Sequence, residues 1–210
     1  MRGILSILAV LLLVTSAISA PPAVENAAKD STVLVKSIRQ KGCAYGSAAY
    51  IGNDMFITNH HVIEGAKSIT IAIPMTAILH DVKVVAVNAK ADVAILISKN
   101  PVKRIKAVKF AIVTPRLTPI YAAGYGSSLH DKHAGEFLRV YGGGLPRFNL
   151  KNKNWYRFAG DEGCSISGDS GGPAFNEKGE YIGPIWGTDK VNTYAVRSAV
   201  ILGMLATLGF

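Results

Sequence analysis

Gly168-Asp169-Ser170-Gly171-Gly172-Pro173 is the stretch on which the reading of the fold turns. Glycines on both sides of Ser170 allow a turn tight enough to expose its hydroxyl. They also aim the amide N–H groups of Gly168 and Ser170 at one point, where an oxyanion would sit. With 21 glycines in 210 residues, a glycine-rich turn holding an incidental serine is the plain alternative, so a second constraint is needed. The hexapeptide also fits G-x-S-x-G, but the nucleophile elbow of an α/β-hydrolase needs its histidine after the serine. His60, His61, His80, His130 and His133 all precede Ser170. The order Asp, His, Ser would require alternating helices and parallel strands, a pattern this chain lacks. The order His, Asp, Ser remains.

A serine hydroxyl is a poor nucleophile until a neighbouring base takes its proton. Upstream, Phe56-Ile57-Thr58-Asn59-His60-His61-Val62-Ile63 runs from a β-rich segment into a histidine pair, ahead of a turn at Glu64-Gly65-Ala66. One of His60 and His61 is the candidate base, and the local pattern does not choose between them. His80, His130 and His133 read as surface histidines beside strands. The third group must be a carboxylate that holds the imidazole in one tautomer. Asp92 stands at the mouth of the apolar run Val93-Ala94-Ile95-Leu96-Ile97, where a charge is costly without a partner. Asp54 and Asp81 read as turn aspartates. The separations, 92 − 61 = 31 and 170 − 92 = 78, put the histidine and aspartate in the first half of the chain and the serine in the second. The site is expected between the halves.

Outward from these residues the pattern is short β-rich runs punctuated by Gly, Asn, Asp or Pro, which describes barrels or sandwiches rather than βαβ units. Thr32–Ile38, Met55–Thr58 and Val93–Ile97 typify the first half, and Pro173–Asn176 and Tyr181–Trp186 the second. Lys99–Lys109 carries five basic residues without alternation and reads as a linker, whereas Arg197–Leu208 has helical composition. A content of 49% hydrophobic and 18% charged residues excludes disorder and coiled coil. The net charge of +9 bears on solubility, not fold. The first nineteen residues are a separate object: Met1-Arg2-Gly3, an apolar run from Ile4 to Val14, and small residues ahead of Pro21-Pro22. That is the layout of a secretory signal peptide, cleaved after Ser19, with an uncleaved anchor the alternative. The expected organisation is a leader over 1–19, an N-terminal segment over 20–31, a first β-barrel over 32–110 and a second over 111–210.

On these motifs the sequence resembles the chymotrypsin-like, two-barrel serine peptidases, and its first half looks most like the bacterial HtrA/Deg type. The matching stretches are Gly46-Ser47, Thr58 to Ala66, Ala91 to Leu96, Ala122 to Gly126, Gly168 to Pro173 and Ile182 to Thr188, in family order. The resemblance implies an all-β fold of two six-stranded antiparallel β-barrels with a C-terminal helix. It implies that His61 is the base, Asp92 its partner and Ser170 the nucleophile, with an oxyanion hole from the Gly168 and Ser170 N–H groups. Ile185-Trp186-Gly187 then becomes the strand edge against which a substrate backbone pairs. Three departures follow. The sequence ends at Phe210, without the PDZ domain of HtrA/Deg proteins; the residue after His61 is Val62 rather than a paired cysteine; and the segment near Ala20 lacks the apolar terminus that activates trypsin-type zymogens. Cys43 and Cys164 match no disulfide of the family, and none is expected.

The implied activity is that of an exported serine endopeptidase, secreted or periplasmic, acting on peptide or protein substrates without a metal or cofactor. A catalytically silent peptide-binding module on the same fold is the alternative. Arg147–Arg157 interleaves basic and aromatic residues but reads as a solvated loop, so no specific nucleic acid is expected. Nor is stable membrane insertion, once the leader is removed. The resemblance places Gly163–Ser167, including Cys164 and Ser165, in the substrate pocket. A cysteine at 164, where trypsin-type enzymes carry an aspartate, leaves a Lys or Arg head group without a counter-charge. Small uncharged side chains are therefore expected there, unless Asp161, Glu162 or Asp189 reaches in.

Overall fold

The computed structural model describes residues 20–74, 76, 79–112, 118–126, 138–148, 154–159 and 164–210. The leader, His130, His133, Asp161, Glu162, Gly163 and the middle of the Arg147–Arg157 stretch lie outside the described residues.

Six antiparallel strands close the first barrel: β1 (Thr32–Ile38), β2 (Cys43–Gly52), β3 (Met55–Thr58), β4 (Ser68–Ala72), β5 (Leu79–Asn88) and β6 (Val93–Ser98), in the order β1-β2-β3-β6-β5-β4. Between β3 and β4 a single helical turn, α2 (His60–Ile63), carries the histidine pair. The second half forms a sheet of six strands with a two-residue seventh at its edge. These are β7 (Ile120–Gly124), β8 (Arg139–Gly144), β9 (Arg147–Phe148), β10 (Trp155–Phe158), β11 (Pro173–Asn176), β12 (Tyr181–Thr188) and β13 (Thr193–Val196), ordered β8-β7-β11-β12-β13-β10-β9. The all-β, chymotrypsin-like arrangement expected from the sequence is therefore present. The described ends of the Arg147–Arg157 stretch pair as β9 with β10 instead of forming an open loop.

The second half, expected as a six-stranded barrel, is thus a half-barrel beside the closed first one, and alternation of side chains along a strand explains how the two share one body. Successive residues point to opposite faces. On β6, Ala94 and Leu96 fill the first barrel, while Val93 and Ile95 join a second cluster between the halves. On β3, Phe56 points in and Ile57 out. From the other side, β7 turns Ile120 and Ala122 into its own core and Tyr121 and Ala123 toward the shared cluster, as β11 does with Ala174 and Phe175. Strands buried on both faces read as unbroken apolar runs, and that is how Val93–Ile97 appears in the sequence.

Two helices seal the shared cluster. The segment before β1, unassigned in the sequence, is α1 (Pro22–Ser31), started by Pro22 at its first position and docked through Val24 and Ala28, both fully buried. At the other end α3 (Ser198–Thr207) inserts Ile201 and Leu205 beside β12. The Lys99–Lys109 crossing is tied to the body. Lys106 donates its N–H to the Asp30 carbonyl and its ammonium to the Asp30 carboxylate, and the Val108 N–H goes to the Tyr50 carbonyl. His80 departs from expectation. It is buried, with Nδ1 3.1 Å from Ser98 Oγ, because its place on β5 turns it inward.

Ile201 is wholly buried where α3 meets the shared cluster. Ile201→Ala is expected to cost about 2–5 kcal/mol of stability, read as a lower urea midpoint at unchanged m-value.

Candidate active site

His61 lies in the first turn of α2, Asp92 in the turn from β5 to β6, and Ser170 in the loop before β11. The His61 Nδ1 and Asp92 Oδ2 atoms are 2.6 Å apart, and the same carboxylate accepts the His61 backbone N–H through Oδ1 at 2.8 Å. One aspartate thus holds both the ring and the main chain of the histidine. A carboxylate at Nδ1 fixes the proton there and leaves Nε2 free to accept. Asp92 is itself posed by an uncommon backbone, φ 58, and its carbonyl accepts the Asn59 side-chain amide at 2.8 Å. Arg39, in the turn between β1 and β2, donates Nη2 to the His61 carbonyl at 2.9 Å. His60 makes no such contact with Asp92. The two histidines, which the local pattern leaves equivalent, differ in this contact.

The loop that carries Ser170 is built by glycine. Gly168 and Gly171 adopt φ of 99° and 86°, the left-handed region that β-carbons disfavour. A Cβ on Gly171 would lie 2.2 Å from the Ser47 carbonyl oxygen and 2.2 Å from Thr58 Oγ1, so no larger residue fits. The loop is pinned to the first barrel by Ser47, wholly buried on β2. Its N–H donates to the Ser170 carbonyl at 2.8 Å, its hydroxyl donates to the Gly168 carbonyl at 2.8 Å, and that hydroxyl accepts the Tyr125 N–H at 3.0 Å. Behind the loop, the Gly171 N–H donates to the Ile185 carbonyl and the Ile185 N–H to the Gly172 carbonyl.

The Asp169 N–H bonds to Ile166, whereas the N–H groups of Gly168 and Ser170 have no protein acceptor among the described residues. Those two are the donors that an oxyanion would need. No hydrogen bond among the described residues joins Ser170 to His61; in unliganded sites that bond is often long and tightens on binding.

Asp169 is fully buried. Burial pushes its carboxyl up, while the Ile166 N–H, the Arg139 guanidinium and the Gly126 N–H pull it back toward the charged form. Nothing in the local sequence marks Arg139, and Ser47 is marked there only as part of the Gly46-Ser47 motif. Their roles arise from contacts 30 and 121 residues away in the chain, which no local pattern carries.

A cleft of about 540 Å³ runs beside the histidine, lined by His60, His61, Glu64, Ala89 and Asp92 from the first half and Trp186, Gly187 and Thr188 from the second. Trp186 is held by stacking on Trp155, with ring centroids 4.3 Å apart, and by an edge contact with Tyr194 at 5.9 Å. Ile185 is buried and Trp186 and Gly187 are half-exposed, while Cys164 is half-buried and Ser165 buried. Both cysteines are free thiols. Asp189 accepts hydrogen bonds from the Val191 and Asn192 N–H groups, the Asn192 amide and the Tyr194 hydroxyl in the β12–β13 turn. Those donors, the Asn192 N–H foremost, hold its carboxyl well below the usual range. Its oxygens are committed to the hairpin.

Among solved structures the chain is similar to the active form of the Rv3671c protease from M. tuberculosis, at 21% identity and a TM-score of 0.69, covering 90% of this chain and 87% of that one. The inactive form of the same protease gives 21% and 0.65, with 91% and 98% covered. A serine endoprotease from Yersinia pestis gives 20% and 0.73, with 89% of this chain and 65% of that one covered. At such identities the likeness shows the fold. No curated protein sequence matches. The trypsin-like peptidase domain family matches residues 46–183, more than half of the sequence and a span that holds His61, Asp92 and Ser170. The chain belongs to that family and is a serine peptidase.

Proposed function

We propose that the protein is an exported endopeptidase that cleaves peptide bonds through a His61-Asp92-Ser170 triad and an acyl-enzyme. The observation that carries this reading is the double grip of Asp92 on His61, at 2.6 and 2.8 Å, beside a cleft lined from both halves of the chain. Ser170 Oγ attacks the substrate carbonyl carbon as its proton passes to His61 Nε2. The carbonyl oxygen, now anionic, takes hydrogen bonds from the Gly168 and Ser170 N–H groups. Collapse breaks the C–N bond, the His61 proton leaves with the amine, and the acyl group stays on Ser170. Water repeats the sequence and restores the hydroxyl. Asp92 keeps its charge throughout and offsets the imidazolium. The substrate backbone pairs with the Trp186–Gly187 edge, as an added strand would.

The segment at Cys164 and Ser165, which the resemblance puts in the substrate pocket, carries no negative charge at those two positions. With Asp189 engaged in its own turn, a Lys or Arg head group entering there lacks a partner among the described residues, and its desolvation is poorly offset. Small to medium uncharged residues such as Val, Ala, Leu or Thr are the proposed specificity. Export rests on the Met1–Ser19 leader. Among the described residues, no helix is long and apolar enough to cross a membrane.

Three outcomes test this. A fluorophosphonate probe should label the purified protein, and Ser170→Ala and His61→Ala should each abolish labelling with the fold intact, while His60→Ala keeps most of it. The reverse ranking of the histidines would sink the assigned base. In a peptide library, cuts should fall after uncharged residues; a clear majority after Lys or Arg would refute the pocket. Intact mass of the protein recovered from a secretion-competent host should start at Ala20, and retention of the first nineteen residues would contradict export with cleavage.

A further inference from the structure

We propose that the β1–β2 hairpin forms the leaving side of the substrate site and selects peptides that carry acidic residues just beyond the cut. The inference rests on the serine-peptidase reading of the site and names the class of substrate it takes. The Ser170 loop is flanked on two sides. In the second half, the Gly171 N–H donates to the Ile185 carbonyl, next to the Trp186–Gly187 edge assigned to the substrate backbone. In the first half stands β2, where the Ser47 N–H donates to the Ser170 carbonyl at 2.8 Å. A Cβ on Gly46 would lie 2.7 Å from Val62 Cγ1 and 3.0 Å from the Ser170 carbonyl oxygen. Cys43, Ala44 and Tyr45 therefore run out from beside Ser170 past α2. Among the described residues, the cleft of about 540 Å³ takes none from β1, β2 or their turn. A chain that enters along Trp186 and is cut at Ser170 leaves on the other side, across the hairpin.

That hairpin is cationic without compensation. From Thr32 to Asn53 the sequence holds Lys36, Arg39 and Lys41 and no Asp or Glu. Lys67 joins them, since its N–H donates to the Ile38 carbonyl at 2.7 Å. Among the described residues, none of these four is within ion-pairing distance of a carboxylate. Glu64, the nearest acid to Lys67 in sequence, lines the cleft on the entering side instead. Two of the charges are held in place. Arg39 donates Nη2 to the His61 carbonyl at 2.9 Å, which leaves Nη1 without an acceptor among the described residues. The Lys36 ammonium lies over the half-exposed Tyr45 ring, 5.9 Å from its centroid. A planar guanidinium fixed in this way loses little further freedom on pairing with a carboxylate. Charge of one sign at the rim of a site draws in partners of the other and rejects its own.

The test uses quenched fluorescent peptides that are identical except at the second and third residues after the cut, where both are Glu, both Gln or both Lys. In about 50 mM salt, kcat/KM should rank Glu over Gln over Lys, with about tenfold between the extremes. In about 1 M salt, where charges are screened beyond about 3 Å, the spread should shrink below about twofold. Lys36 and Lys41 are exposed and outside the proposed triad. The variant Lys36→Glu/Lys41→Glu should therefore invert the ranking while hydrolysing a peptidyl coumarin amide, whose leaving group carries no side chain, within about twofold of the parent rate. Equal rates for the three peptides in low salt, a preference for Lys, a spread that survives high salt, or a ranking that the variant leaves unchanged would each overturn the proposal. If the variant does not fold, the salt series on the parent decides. A parent protein that fluorophosphonate does not label refutes the serine mechanism itself, a result distinct from any ranking of the peptides.

Discussion

Everything at the site depends on a loop of one half being fastened to a strand of the other. Ser47, buried on β2, reaches across the boundary with both backbone and side chain, taking the carbonyls of Ser170 and Gly168 as acceptors at 2.8 Å each. Thr58 Oγ1 in turn donates to the Ser47 carbonyl at 2.8 Å, so the strand that leads into His60 and His61 is tied to the same point. The proposed base and nucleophile are therefore registered through Ser47 and Thr58 rather than through the placement of the whole barrel against the whole second sheet. The absence of a Cβ at Gly171, wedged against Ser47 and Thr58, is the steric condition for that approach.

The energetic condition is the shared apolar cluster. Residues of odd parity on β6 and β7, with α1 and α3 closing the ends, bury one continuous surface between the halves. Burial of this kind is non-directional and supplies most of the driving force. The few directional bonds at Ser47, Asp92 and Asp169 then select one arrangement from the many that burial alone would permit. Each of those polar groups is satisfied where it is buried, as the low dielectric of an interior demands.

Much of this was legible in the sequence, for reasons that differ by element. Thr32–Ile38, Met55–Thr58 and Pro173–Asn176 were readable because strand composition and flanking turn residues coincide there, and their ends agree with the structure to the residue. The histidine pair His60-His61, Asp92 and Ser170 stood out as chemical types in an order that few folds accommodate, and only the family resemblance singled out His61 within the pair. What was hidden depends on contacts between distant segments. Nothing around Arg139 marks it, since its meaning lies in a carboxylate 30 residues on. His80 passed for a surface residue because strand β5 is largely exposed, and only the pairing register shows which way that side chain turns. The 20–31 segment stays unassigned in the sequence, although Pro22 at the first helical position is a start signal for α1.

The most direct measurement is a crystal structure of the protein after reaction with a peptidyl phosphonate. The account predicts a covalent bond to Ser170 Oγ, with a phosphonyl oxygen about 2.7–3.1 Å from both the Gly168 and Ser170 amide nitrogens, and the His61 ring still bonded to Asp92. A phosphonyl group on any other residue, or an oxygen turned away from those two amides, would contradict it.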